Sequence, residues 1–355
     1  MLAGRRLGLG IVNVGFWVLA AIAGLIALTT HRDVLAGFSG WWFALGAVGV
    51  QAVFDAVGGW WLLPPPRPEP RIFLRRWARG VAVHSLVLAG VGGAGALSLA
   101  GTGGFGAGLA VSLAALAWGR LFLHRRISGV PIRPTSGDGR GAILLQAVDD
   151  PAFTGGILGL GRGAGVLLPQ AWWEGLPRPE LEAELFRRRW QMARDRETRT
   201  FVVLLLWNLL GSAAGTFAFN LASWPIGLAL VGHACWMTLW TFASLLGFPV
   251  LSRATVLAAD RAAAVAGLEV EPWIRRFPAI TGEDGSPRAA LQNIFYPIPS
   301  ARIRQDSLGR PCPGGGVGNL ARSHLYYSWA AFTLLGRAVH CNVGRPALWV
   351  FPPSA

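Results

Sequence analysis

Apolar residues run along this chain in stretches longer than a globular core uses, over residues 7–28, 38–63, 80–100, 106–123, 201–221 and 224–251. About 20 apolar residues in a helix cross a hydrocarbon layer, so the pattern predicts six transmembrane helices. Between the fourth and fifth runs the periodicity changes. Residues 142–148 form a short apolar run bounded by Gly141 and Asp149, and residues 165–169 form another, which predicts strands on both sides of a glycine-rich stretch at 155–163. That stretch contains Gly159-Leu-Gly-Arg-Gly163, but it lacks the Lys-Ser/Thr ending and the strand-to-helix setting of a phosphate loop, and a hairpin turn fits it better. From Pro179 the period becomes helical. Leu181, Leu185, Trp190 and Met192 can share one face, while Glu180, Glu182 and Glu184 favour the positive end of the helix and the arginines its negative end. A last apolar run at 325–335, between Arg322 and Arg337, is too short to span and predicts an interfacial or packed helix.

Composition supports this division. The 355 residues are 53% apolar and 14% charged, with 17 Trp, and the mean hydropathy is positive, too oily for an ordinary soluble domain. The fold class expected is mainly α: a multispanning membrane protein with a small α+β cytoplasmic module. Residues 1–123 would hold four spans, 124–200 a polar strand-helix module, 201–251 two more spans, and 252–355 a helical cytoplasmic segment. Trp41-Trp42 and Trp60-Trp61 bracket the second span as interface anchors would. The glycine runs at 90–95 and 101–108 allow spans three and four to approach closely.

Charge sets the expected orientation. All 32 basic residues are Arg, and the net charge is +14. Arg5 and Arg6 precede span one; Arg67, Arg71, Arg75, Arg76 and Arg79 lie between spans two and three; Arg120, Arg125 and Arg126 end or follow span four. The alternate turns carry almost none. The positive-inside rule then places both termini and residues 123–200 in the cytoplasm, in a multi-pass bacterial inner (plasma) membrane. The arginines are scattered at span edges rather than gathered on one soluble face, which argues against a nucleic-acid partner. The first run is too long for a cleavable signal and should be a permanent anchor.

Candidate chemistry is sparse. Cys235, Cys312 and Cys341 share no spacing, so neither a disulfide nor a thiolate metal site is expected. Of the six histidines, His84 and His233 fall within spans, where ionisable groups raise a functional hypothesis. At ~1.5 Å per residue their depths differ by about 10 Å, which disfavours a bis-histidine haem; either could bind one pigment or haem axially, or serve helix-to-helix hydrogen bonding. Asp55 lies near the depth of His84, and the two could pair or form a proton site.

One stretch carries a resemblance. Pro151-Ala-Phe-Thr-Gly-Gly156, then Val166-Leu-Leu-Pro169, then Pro179-Glu-Leu-Glu-Ala-Glu-Leu185 and Ala193-Arg-Asp195 precede two spans, after which come Ser252-Arg-Ala-Thr-Val-Leu-Ala-Ala-Asp-Arg-Ala262 and Tyr296-Pro-Ile-Pro-Ser-Ala-Arg-Ile303. This order resembles the integral-membrane zinc metallopeptidases of the HtpX and CAAX-prenyl-protease type, over roughly residues 140–305. Four N-terminal spans exceed the two of the bacterial heat-shock type. On that pattern the first histidine falls at Phe186, the glutamate base at Arg187, the second histidine at Trp190 and the third ligand at Val256, while Asp260 is retained.

What the resemblance implies is a degenerate member. Zinc needs neutral imidazole or carboxylate ligands and an open position, and hydrolysis needs a base; phenylalanine, tryptophan and valine offer no lone pair, and Arg187 stays protonated. Zinc and other cofactors are therefore not expected. Asp260 is expected to pair with Arg187 or Arg189, a guanidinium replacing the metal's charge, unless the Arg triplet simply points to the cytoplasm or to headgroups. The expected function is a catalytically inactive scaffold, adaptor or accessory subunit partnered by the bilayer and other membrane protein subunits; a membrane metalloendopeptidase with a rebuilt site, and a pigment- or haem-associated subunit of an energy-converting complex, are the alternatives.

Overall fold

The computed structural model describes residues 2–35, 40–63, 67–100, 104–135, 142–281, 296–310 and 316–353. Phe38, residues 101–103, Gly141 and Cys312 lie outside the described residues, as does the Trp41 side chain. In chain order, α1 (Leu2–Thr30) and a single turn α2 (Arg32–Leu35) precede α3 (Gly40–Ala56), which ends in a π-helical turn at Val57–Trp61. Then come α4 (Pro70–Ala100) and α5 (Gly104–Ser128), and the strands β1 (Ile132–Thr135), β2 (Ile143–Gln146), β3 (Gly156–Leu158) and β4 (Gly165–Pro169). Among the described residues the remaining α-helices are α6 (Gln170–Gly175), α7 (Arg178–Ala193), α8 (Arg196–Ala218), α9 (Ile226–Val265), α10 (Val270–Thr281), α11 (Ala301–Ser307), α12 (Leu320–Tyr327) and α13 (Leu335–Ala338).

Among the described residues, six stretches of helix are long and apolar enough to cross a membrane: Gly4–Thr30, Trp42–Trp61, Pro70–Ala100, Gly104–Ser128, Arg196–Ala218 and Ile226–Val265. They match the six apolar runs, with two extensions. The third begins at Pro70, because proline needs no intrahelical partner for its missing N–H in a first turn, and a charged first turn hid that start. The sixth passes through Pro249 and continues to Val265, so the segment carrying Asp260 continues this helix; alanines at 258, 259 and 262–264 sustain it.

The chain forms two compact units: Met1–Gly119 with Val203–Ser244 and Leu325–Trp349, and Arg120–Val202 with Leu245–His324 and Val350–Ala355. These cut across the divisions drawn from sequence, since Leu325–Trp349 clusters with N-terminal helices.

In the first unit the expected approach of α4 and α5 is present. A methyl group on Gly108 would lie 2.6 Å from the Ala94 carbonyl oxygen, and the Gly108 N–H donates to Ser98 Oγ at 3.0 Å. The segment Leu325–Trp349, expected to hold an interfacial or packed helix, is a broken chain: the end of α12, a 3-10 turn (Ser328–Ala331), α13 and a second 3-10 turn (Pro346–Leu348), nearly all of it buried. It runs deep along α4. Pro346 packs at Gly80, whereas the Phe332 ring packs at Gly92 and Gly95, about 20 Å further along the helix at ~1.5 Å per residue. Arg6 fastens the shallow end. Its guanidinium, used above only as a positive charge ahead of span one, is buried and donates to the carbonyls of Gly58 at 2.7 Å and His340 at 2.9 Å.

In the second unit the sheet order is β1-β2-β4-β3. The two expected strands, β2 and β4, are parallel neighbours. The glycine-rich stretch between them itself supplies β3, antiparallel to β4, so the hairpin turn is confined to residues 159–164. Strand β1, antiparallel to β2 at the edge, was not expected; its Pro134 is tolerable at an edge, where one N–H is not needed. Ile143, Val166, Leu168, Leu181 and Leu185 close over the aromatics Trp172, Trp273 and Phe277. The last two come from α10, whose buried Val270, Trp273, Ile274 and Phe277 recur at helical spacing.

Gly344 offers a direct check of the first unit. Its φ is +70°, and a Cβ there would collide with the Asp55 carbonyl oxygen and the Gly59 nitrogen. Gly344→Ala is expected to cost roughly 2 kcal/mol or more, read as a lowered unfolding midpoint of purified protein; an unchanged midpoint would mean that these backbones are not in contact.

Candidate functional site

Helix α7 brings Glu184, Arg187 and Arg188 to one face, since positions three and four apart are neighbours on a helix. The face is buried against α9 and α11. Arg187 pairs with Glu184 in its own helix and, through Nε, with Asp260 Oδ1 of α9 at 2.7 Å. Arg304, on α11, grips the same carboxylate in a fork, Nε to Oδ2 at 2.7 Å and Nη2 to Oδ1 at 2.9 Å. Arg188 Nε donates to Glu184 Oε1 at 2.7 Å, and its two remaining nitrogens donate to the carbonyls of Leu167 at 2.7 Å and Thr154 at 2.6 Å. Those carbonyls belong to β4 and to the turn before β3. Gly155, at φ +70°, leaves that space free, because a Cβ there would strike the Leu167 carbonyl. Three guanidiniums and two carboxylates are thus joined out of water and hold α7, α9, α11 and the sheet together.

Charge is retained throughout α7's part of the network. Burial alone would raise the Glu184 carboxyl, but Arg188 and Arg187 beside it hold it below its usual range. Burial works against the Arg187 cation too, and Asp260 and Glu184 more than reverse this, so its pKa is raised. A buried pair with its partners in place is roughly neutral for stability, whereas a buried charge stripped of its partner is strongly destabilising.

Of the two partners expected for Asp260, Arg187 is the one, and Arg304 is a second that sequence reasoning missed; it lies one residue past the quoted 296–303 segment. Glu184 was read as a helix-end charge and Arg188 as one of a triplet, although their i and i+4 spacing was a visible signal. The other positions picked out by the resemblance scatter. Phe186 packs with Ala183, Ala263, Val270 and Ile274. Trp190, expected on the apolar face with Leu181, Leu185 and Met192, instead lies under the guanidiniums of Arg194, at 4.1 Å, and Arg196. Val256 is buried on α9. None of the three offers a lone pair to a metal, and among the described residues no group of three or more His, Cys, Asp or Glu could hold one.

The first unit has a cluster of its own. Asp55 and His84, expected as a pair, are joined through Arg337, which pairs with Asp55 and contacts His84 Nδ1 at 3.1 Å. Since a guanidinium only donates, His84 accepts at Nδ1 and carries its proton on Nε2. Asp55 also accepts from Gln51 Nε2 at 3.0 Å, Trp77 Nε1 at 3.1 Å and the Gly344 N–H at 3.0 Å. Arg337 lies over the Trp349 ring at 4.1 Å, and His84 packs edge-on against Trp329. His233 is apart from this cluster, stacked on Phe105 at 4.2 Å. Neither Cys235 nor Cys341 is in a disulfide.

Comparisons with protein-family models, with curated proteins and with solved structures each return no match.

Two measurements test the second unit, the first its charged cluster and the second the buried His324, which packs edge-on against Phe248. Asp260→Asn strands Arg304 and leaves Arg187 with Glu184 alone, and should lower unfolding free energy by about 3–5 kcal/mol; adding Arg304→Met should restore part of that loss, and equal midpoints for all three proteins would contradict the network. The pH dependence follows from groups outside the long apolar helices. Burial pushes His324 down from 6.5 to about 3, so the unfolded chain binds more protons between those values, and its contribution is intact above 6.5 and lost as pH falls towards 3. Glu184, held low, loses its contribution in the same direction. Stability should therefore fall on acidification, and His324→Phe should flatten the slope below pH 6.5 in a pH series of thermal midpoints; an unchanged slope counts against a buried neutral imidazole.

Proposed function

We propose that this chain is a multi-pass protein of a bacterial inner membrane, with both termini and the sheet-bearing module on the cytoplasmic side, and that a metallopeptidase-like frame without peptidase chemistry serves there as a scaffold or accessory subunit of a membrane protein complex. The observation that carries this reading is the Arg187–Asp260–Arg304 network. At the position where the resemblance puts a general base stands a guanidinium, which cannot take a proton from water. That guanidinium is also committed to two carboxylates, Glu184 in its own helix and Asp260, which fastens α7 to α9. The charge of a metal centre is in effect replaced by fixed arginine charge, and the helices are held without any ligand exchange.

Six helices of spanning length support the membrane part of the reading, as do the exposed side chains on them: Leu19, Leu97, Trp118 and Phe217 are each more than 60% exposed, which in water would be an aggregation liability. In a bilayer the broken segment Leu325–Trp349 would be re-entrant. Non-helical backbone at membrane depth is tolerated where protein covers it, and this segment is covered. The pigment or haem alternative gains little from the histidines, since His84 Nδ1 is engaged by Arg337 and one face of His233 by Phe105.

The test is purification of the full chain from its native membranes in mild detergent. The protein should resist carbonate extraction, retain one partner subunit in fixed stoichiometry, and show no chelator-sensitive proteolysis. Stoichiometric zinc together with such proteolysis would overturn the scaffold reading in favour of a rebuilt peptidase, and a visible absorption band in the purified protein would favour the pigment alternative.

A further inference from the structure

We propose that one face of α4 is a binding site for an anionic phospholipid. The helix extends ten residues before its apolar run, and that extension carries Arg71, Arg75 and Arg79 at intervals of four, all exposed. No hydrogen bond or ion pair occupies these three guanidiniums among the described residues. Pro70–Ala100 contains no acidic residue, and Glu69, just ahead of it, makes no ion pair with them among the described residues. At ~100° per residue the three fall within about 80° of helix arc and extend over ~12 Å.

The same arc continues down the helix as apolar surface. Ala82 is exposed, Leu86 is 73% exposed and Leu97 78% exposed, and all three lie within the sector that the arginines define. Leu86 is about 10 Å beyond Arg79 along the axis and Leu97 about 27 Å, so cationic head contacts and hydrocarbon contacts follow one another on a single stripe. Down to Leu86 this is the complement of one amphiphile, with a phosphate at the guanidiniums and an acyl chain beside Ala82 and Leu86, while Leu97 lies in the far half of a ~30 Å hydrocarbon layer. A nucleic acid or an acidic peptide would use the arginines and leave the leucines uncovered. Planar, delocalised guanidinium is well matched to phosphate, and each such group near an anionic surface favours binding about fivefold.

The inference rests on the membrane reading, and the assay separates the two failures. The full chain is purified in mild detergent and reconstituted in nanodiscs of phosphatidylcholine or of phosphatidylcholine with phosphatidylglycerol, with thermal midpoint and retained lipid by native mass spectrometry as readouts. Protein that is stable and monodisperse without detergent would overturn the membrane reading itself. On that reading, phosphatidylglycerol should raise the midpoint and be retained at low salt with about a hundredfold preference over phosphatidylcholine. The charge-removing variant Arg71→Gln/Arg75→Gln/Arg79→Gln should lose both effects, while Arg71→Lys/Arg75→Lys/Arg79→Lys keeps most of the midpoint rise. Equal midpoints for wild type in the two lipids, or an undiminished rise in the Gln variant, would overturn the site. So would an equal rise produced in detergent by glycerol phosphate or by a soluble polyanion, which would show that the arginines bind a phosphate with no lipid attached.

Discussion

Arg187, Arg304 and Arg337 lie out of water with their charge intact, because a guanidinium does not lose its proton at physiological pH. Each must therefore meet a carboxylate, a carbonyl or another acceptor, and where it meets one decides which parts of the chain are neighbours. Asp260 draws α7 and α11 onto α9. Asp55 draws the segment around α13 onto α3 and α4. Dispersion and apolar burial fill the rest of each unit, but they are tolerant of small shifts; a forked guanidinium on a carboxylate is not.

The two clusters solve the same problem in different settings. In the second unit, carbonyls of the sheet take up the donors that two carboxylates leave over, through Arg188. In the first unit a single carboxylate is surrounded by donors, three of them neutral (the Gln51 amide, the Trp77 indole and the Gly344 N–H), and the imidazole of His84 absorbs a further guanidinium N–H. Both arrangements rely on glycine at positive φ, Gly155 in one and Gly344 in the other, to bring backbone within reach of the charged groups.

Much of the scaffold is visible in the residues themselves. Runs of apolar residues mark all six long helices, because spanning length is a one-dimensional property. The strands β2 and β4 are visible as short apolar runs between glycines, and Asp260 as an isolated acid on an alanine-rich helix face. What escapes is pairing over distance. Arg337 reads as the flank of an apolar run, and nothing near it reveals that its carboxylate is Asp55. Glu184 reads as a dipole charge until α9 and α11 are folded over it. Strand β3 is hidden by its glycine, and the parallel relation of β2 to β4 cannot be read from either strand alone, since register belongs to the pair.

The separation of Asp55 from Arg337 has a consequence for biosynthesis. The two residues are 282 positions apart, so α3 and α4 are made, and the ribosome moves on through both units, while Asp55 still lacks its guanidinium. Until residues 325–349 arrive, the first unit has an uncompensated acid and an unfilled groove beside α4. The packing of α3 and α4 is therefore completed only by the last part of the chain to be made.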